Sequence, residues 1–263
     1  MNRFYSVLQY LSIDIVIGAV ILLRFFCAQS GIEIDFPVYF LLASAVWLIY
    51  TTDHIRDSRG AKHPKRPRYL FHERNEGALK LAMVMVVFFC VMCVFTVPMM
   101  ILFTGCTLGI LSLIYLSIQR WLSMKGLKEL YVSIIYTSGI LLVPFFLGQE
   151  FSWLSFILLL IATYLNLILF SWFEKEEDKK DKFDSIATTW GEKRVLKLIL
   201  ILLSVGISLS IFSFNLIAMY FLFVFLMYTL VFLREQQMSK GGIYRIIGDG
   251  VFVIPILFEL SYF

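Results

Sequence analysis

The sequence predicts an all-α membrane protein: a polytopic helical bundle of about nine transmembrane helices, a single domain over residues 1–263, with the N-terminus in the cytoplasm. Three observations predict it. Hydrophobic residues make up 60% of the chain and charged residues 16%, and mean hydropathy is +0.83; a soluble domain carries charge on about a quarter of its residues. Apolar runs close to the ~20 residues that a helix needs to cross a ~30 Å hydrocarbon layer recur along the whole length. Lys and Arg fall in alternate connections only, as the positive-inside bias requires of a chain that crosses and recrosses.

The spans follow in order. The first, 8–28, starts near Leu8 and carries Asp14; no small-residue cleavage site is suitably placed, so it reads as a span and not as a cleaved signal. The second is 35–52. The third and fourth, 78–97 and 98–118, meet at Pro98 in a tight hairpin. The fifth and sixth are 128–148 and 152–173, the seventh and eighth, 195–213 and 214–233, meet near Asn215, and the ninth is 243–262. Of 23 Lys and Arg, seven lie in 53–77, three in 120–128, seven in 175–197 and three in 234–245, while the connections near 29–34, 97–98, 149–151 and 213–214 carry none. A missed or invented span would break this alternation. With Arg3 it sets the N-terminus inside and makes the two long connections, 53–77 and 174–194, cytoplasmic.

All four cysteines, Cys27, Cys90, Cys93 and Cys106, fall in apolar runs. Cys90 and Cys93 spell C-x-x-C, but with no His or acid beside them they read as small buried hydrophobes and not as a metal or redox site.

Positive-inside places cations and says nothing about acids, yet 11 of the 19 Asp and Glu lie in the two long connections. Asp53 and Asp57 are four apart, on one face if the second span runs on as helix. Glu174, Glu177, Asp178 and Asp181 have offsets 0, 3, 4 and 7, one stripe if the sixth span runs on. Like charges so spaced repel by a few tenths of a kcal/mol per pair, so the stripe needs counter-charge. One reading is a solvated helix face in which Glu176 reaches Lys180 and Asp178 reaches Lys182. The other follows from there being two such motifs, each at the cytoplasmic end of a span. Mg2+ is commonly held by one or two carboxylates plus substrate phosphates, and two facing acid clusters with Lys and Arg around them suit a Mg2+-bridged diphosphate.

These residues resemble the UbiA superfamily of intramembrane prenyltransferases. That family carries N-D-x-x-D-x-x-x-D after its second helix and D-x-x-x-D after its sixth. Asp53 and Asp57 match the first, followed by "HPKRP" like the family's K/R-P segment; Glu174 and Asp178 match the second, followed by "DSIATTWG" (184–191) like its K-S-T-A-x-x-x-G tail. Tyr115 and Arg120 in "IYLSIQR" resemble its Tyr-to-basic segment. The chain departs from the pattern at Ile49 and Tyr50, where the family has Asn and Asp, at Phe170 for Tyr, and at Glu174 for Asp. The resemblance is thus to a divergent branch of that family, with one metal-binding acid fewer.

The resemblance implies a bundle around a central cavity, capped by the two cytoplasmic loops and open sideways to lipid. It implies a Mg2+-dependent transferase that moves an isoprenyl group from a polyprenyl diphosphate to a small aromatic or lipid acceptor. Asp53, Asp57, Glu174 and Asp178 would be the catalytic acids and, with Asp181, the metal ligands; Lys62, Arg66, Arg120, Lys128 and Lys180 would hold the diphosphate. Trp47, Tyr50, Phe170 and Trp172 stand at a depth where aromatic faces would steady an allylic cation, or where an interfacial aromatic belt would place them anyway. Asp14, Arg24 and Asp249 are charges within predicted spans and so candidates for function. Arg24 is expected to snorkel, and Asp249 either to pair with Arg245 or to polarise an acceptor. The expected location is the plasma membrane, multi-pass among membrane lipid, with the active site on the cytoplasmic side and no nucleic-acid partner. Two alternatives use the same acids: a terpene cyclase of the same superfamily, which needs no acceptor, and a cation-binding transporter-like protein. Against the last, transporters gather their binding groups near the midplane, whereas these lie at the rim.

Overall fold

A computed structural model of the chain describes residues 3–60, 66–148, 152–213 and 215–259. The described residues are almost wholly helical and contain no strand. In order, the helices are α1 (Arg3–Tyr10), α2 (Ile13–Gln29), α3 (Phe36–Gly60), α4 (Pro67–Arg74), α5 (Glu76–Val94), α6 (Met99–Lys125), α7 (Lys128–Leu147), α8 (Trp153–Asp181), α9 (Ile186–Trp190), α10 (Glu192–Ser213), α11 (Leu216–Leu233), α12 (Glu235–Met238), α13 (Ile243–Gly250) and α14 (Pro255–Glu259). Seven of them, α3, α5, α6, α7, α8, α10 and α11, are long and apolar enough to cross a membrane.

Local chemistry sets the boundaries. Pro67 opens α4 at a position where its missing N–H costs nothing, and Asn215 caps α11 by accepting from Ala218 N at 2.8 Å. Ser152 caps α8 through Ser155 N at 3.2 Å, and Gly126, at φ +66°, closes α6 in the left-handed region that favours glycine.

Two predicted spans are not continuous helices. The first is broken at Leu11 and Ser12, where Ser12 takes φ 55° and the chain turns from α1 into the 17-residue α2. The ninth stops after eight residues: α13 ends at Gly250, and a turn over 251–254 leads to α14. Pro255 is the cause. It has no N–H to offer the Val251 carbonyl four residues back, and inside a membrane a free carbonyl must find another donor. Tyr220 of α11 supplies it, its hydroxyl donating to Val251 O at 3.2 Å, and Tyr228 donates to Gly248 O at 3.3 Å.

α8 is the axis of the bundle and packs on α7, α10, α11 and α13. Its apolar part ends in a core shared with Phe25 and Phe26 of α2 and with Tyr220, Phe221 and Phe225 of α11. α5 lies at the edge, with Val84, Phe88 and Met92 about half exposed, as a lipid-facing helix should be. At 29 residues α8 is about 43 Å long and at 25 residues α3 about 37 Å, at 1.5 Å per residue. Both exceed a ~30 Å hydrocarbon layer, and the excess at their C-terminal ends carries the two acidic motifs.

Close helix approach relies on small residues. A Cβ on Gly206 of α10 would come within 2.6–2.8 Å of the ring of Phe225, which is wholly buried and has nowhere to go. Gly206→Ala is expected to cost about 1–3 kcal/mol by overpacking, read as a lower unfolding midpoint in detergent; an unchanged midpoint would show that the α10–α11 contact can relax.

Candidate active site

The overhanging ends of α3 and α8 face one another across a cavity of about 630 Å3, and Asp53, Asp57, Glu174 and Asp178 all line it. The helical spacing read from the sequence thus brings the two motifs to one chamber. Lys128 and Arg120 line it as well. Lys128 Nζ lies 3.5 Å from Asp53 Oδ2, and Gln119 Nε2 donates to Asp53 Oδ1. Asp57 forms no hydrogen bond or ion pair among the described residues, so its carboxylate is free toward the cavity.

The second motif is held differently. Arg66, just before α4, reaches across to α8: Nη2 donates to Asp178 at 2.8 Å, Nε to Asp181 at 2.6 Å and Nη1 to Glu174 at 3.3 Å, with Glu177 3.6 Å away. Burial works against the Arg66 charge, but the Asp178 and Glu174 carboxylates outweigh it and hold its pKa above the usual value for arginine. The counter-charge that the stripe requires therefore comes from another helix, not from its own lysines. Glu176 pairs with Lys179, 2.8 Å away, in place of the expected Lys180, and Lys182 ends the helix in the left-handed region while Asp178 bonds Arg66. Lys180 is exposed and does not line the cavity. Asp181 bonds Arg66 without lining it either, and Lys62 lies outside the described residues.

Glu174 collects the largest set of partners: besides Arg66, it accepts from Tyr244 Oη at 2.9 Å and pairs with Arg245, both of α13. The expected Arg245–Asp249 pair is not formed. Asp249 accepts from Asn166 Nδ2 at 3.1 Å instead, because Arg245, four residues earlier on α13, is drawn to the outer carboxylate. Tyr50 and Phe170 line the cavity; Trp172 is buried under Lys175, whose Nζ sits 3.8 Å over its ring, and Trp47 reaches neither this cavity nor the one described next.

A second cavity of about 360 Å3 opens between α3, α5, α6 and α7, with an almost entirely apolar wall. Ile49, Tyr50, Tyr115, Val132 and Tyr136 line both cavities, so the charged chamber and the apolar one adjoin across a common wall. Tyr50 stands on this shared wall at a position where the family pattern has an acid, which places the missing carboxylate's site at the junction.

The UbiA prenyltransferase family is matched over residues 52–241, from just before Asp53 to beyond α11. The chain belongs to the UbiA prenyltransferase family. A search of curated proteins and a search of solved structures each found no match. Membership implies intramembrane prenyltransferase chemistry, an isoprenoid diphosphate substrate and a lipid environment, and prenyltransferases of this family typically use Mg2+.

The residues present fit that ion. Among the described residues no three His, Cys, Asp or Glu side chains close on a point; Mg2+ is commonly held by one or two carboxylates together with substrate phosphate. The donors are hard carboxylate oxygens from two helices, and Asp57 forms no hydrogen bond or ion pair among the described residues.

Several residues of this UbiA site escaped the sequence reading. Arg68 lines the cavity beside the predicted basic segment and lies over Tyr69, 5.2 Å from its centroid. Glu129 accepts from Ile186 N at 3.0 Å and Ser171 Oγ from Ala187 N at 3.0 Å. Together they pin the "DSIATTWG" segment over the ends of α7 and α8. Gln119 and Tyr244 fix the carboxylates they bond.

Proposed function

We propose that the protein is a Mg2+-dependent intramembrane prenyltransferase that moves an isoprenyl group from a polyprenyl diphosphate to a small aromatic or lipid acceptor. One observation carries this reading: a chamber lined by acids and cations adjoins an apolar pocket across a shared wall. That is the negative of an amphiphile with an anionic head and a hydrocarbon tail.

Asp53 and Asp57 from α3, with Glu174 and Asp178 from α8 and Asp181 behind them, would hold the metal. When bound, Mg2+ supplies positive charge against the diphosphate oxygens as their bond to carbon weakens. Lys128, Arg120 and Arg68 line the same chamber and neutralise the remaining phosphate charge. Arg66, which bonds these carboxylates, would be free to turn to the phosphate with a metal held there, and Lys62 lies on the same basic segment. The C–O bond breaks with its electron pair leaving on the diphosphate, the allylic carbon joins the acceptor, and the acceptor loses a proton. Tyr50 and Phe170 present aromatic faces to the cationic carbon, a contact worth roughly 0.5–2 kcal/mol. The chamber opens at the end of the bundle where the cations cluster, so the reaction faces the cytoplasm of the cell that carries the protein in its plasma membrane.

The test uses farnesyl thiodiphosphate, whose bridging sulfur resists ionisation. At about 100 times Kd it should stabilise the detergent-solubilised protein by about 2.7 kcal/mol, in the presence of Mg2+ and not in EDTA. No shift for farnesyl or geranylgeranyl analogues under either condition would sink the proposal.

A further inference from the structure

The basic residues beside the acidic motifs are paired: Arg66 with the acids of α8, Lys128 with Asp53, and Arg245 with Glu174. Four others that lie together are not. Lys193, Arg194 and Lys197 are in the first turns of α10, and Arg234 follows α11. All four are exposed, and their side chains form no hydrogen bond or ion pair among the described residues. None of them lines either cavity.

The fold gathers these four at one corner. α10 and α11 pack as an antiparallel hairpin through the Asn215 turn, so Arg234 comes level with Val195 and Leu196, between Arg194 and Lys197. Lys175 of α8 ties the same corner together, its Nζ lying 3.2 Å from Glu192 of α10 and 4.0 Å from Glu235, the residue after Arg234. Those contacts decide the local charge. Glu192 and Glu235 are the acids nearest the four cations in sequence, and both are answered by Lys175, with Lys179 a further 3.6 Å from Glu192. The positive-inside bias accounts for cations in this connection. It does not account for the neighbouring acids being drawn to α8, which leaves four positive charges unanswered on the surface.

Their surroundings identify the partner. Leu196 and Leu200, on the same turns of α10, and Leu233, beside Arg234, are exposed apolar side chains. The patch therefore stands at the edge of a lipid-facing surface. A free anion or an acidic soluble partner would meet only the cations. A phospholipid meets both, its phosphate on the cations and its acyl chains along the leucines. Clusters of about four to eight Lys and Arg just outside a membrane helix are the pattern that holds anionic headgroups.

We propose that the α10–α11 corner is a binding site for an anionic phospholipid, in the leaflet on the side of the acidic motifs and separate from the chamber. The proposal does not rest on the prenyl-transfer reading.

The test titrates phosphatidylglycerol or phosphatidylcholine into the full chain in dodecyl maltoside and follows the unfolding midpoint. Wild type should bind phosphatidylglycerol about tenfold or more tightly than phosphatidylcholine, with the gap narrowing at raised salt. A cation at such a surface is worth roughly fivefold in affinity for an anionic lipid, so Lys197→Gln/Arg234→Gln should weaken phosphatidylglycerol about 20-fold. A control removes the same charge elsewhere: Arg74→Gln/Lys80→Gln, exposed on α4 and α5, should leave lipid binding nearly unchanged. Three results would overturn the proposal. Equal binding of the two lipids by wild type would mean no headgroup preference, and equal losses in the two double variants would reduce the patch to general surface charge. Stabilisation by inorganic phosphate alone, abolished in Lys197→Gln/Arg234→Gln, would make it a site for soluble phosphate. Lys193→Gln/Arg194→Gln carries the same expectation should the first pair fold poorly. Farnesyl thiodiphosphate with Mg2+ should act on the patch variants as on wild type, and loss of its effect in them alone would overturn the separation of the two sites.

Discussion

Replacing Asp57 by Asn is expected to abolish the Mg2+-dependent stabilisation by farnesyl thiodiphosphate and to lower turnover by about 100-fold or more, without destabilising the protein. Loss of a group that merely supports a metal ligand already costs 10–100-fold, and Asp57 is assigned as a ligand. The second half of the expectation is the more discriminating. Asp57 sits four residues from Asp53 on the same face of α3, an arrangement that repels. Asp53 has Gln119 and Lys128, whereas Asp57 has no bonding partner among the described residues. A carboxylate that only strained the fold would be a liability, and its neutral isostere would leave the unfolding midpoint unchanged or raise it. Function at a cost in stability is the pattern of a binding site. Full diphosphate binding in Asp57→Asn would remove the first motif from the mechanism, and a large fall in the ligand-free midpoint would make Asp57 a structural residue.

What the sequence made legible is what helical geometry dictates. Once α3 and α8 run past the membrane, an offset of four keeps Asp53 with Asp57 and Glu174 with Asp178 on one face each, and the site follows from those two faces lining one cavity. The same arithmetic argues against Lys180: two residues beyond Asp178, it is turned about 200° at 100° per residue, away from the cavity. The break in the last span was also written in the chain, since Gly248, Gly250 and Pro255 interrupt an apolar run whose hydropathy alone reads as continuous. Other features were not legible because they depend on which surfaces meet. Nothing in "IYLSIQR" says that Gln119 turns to Asp53, and Glu129 looks like a partner for its neighbour Lys128 until α9 folds back to place Ile186 N against it. Arg66 was legible as a basic residue near phosphate; its span across 108 to 115 residues to three carboxylates of α8 was not.

That cross-connection gives the second large effect. Arg66→Ala is expected to lower the stability of the metal-free protein by about 3 kcal/mol, the low end of what breaking a buried ion pair costs. Arg66 and its three bonded carboxylates are only 12–16% exposed at their side chains, so solvent screens them little. Glu177, 64% exposed, adds little to this sum. Without the guanidinium, Glu174 retains Tyr244 and Arg245, but Asp178 and Asp181 lose the bonds that Arg66 gives them. Arg66→Lys should recover only part of the loss, because an ammonium cannot serve three carboxylates with the fork of a guanidinium. Mg2+ at millimolar concentration should stabilise Arg66→Ala markedly and the wild type hardly at all in the absence of diphosphate, since in the wild type Arg66 already holds the carboxylates the ion would need. That contrast separates an exchangeable counter-cation from a fixed strut. If Arg66 only braces α4 against α8, Mg2+ restores nothing to Arg66→Ala; if the cluster is an ordinary solvated face, the substitution leaves the unfolding midpoint where it was. A variant that is unstable alone and rescued by Mg2+ alone would tie the second motif to a divalent cation through a measurement that involves no turnover.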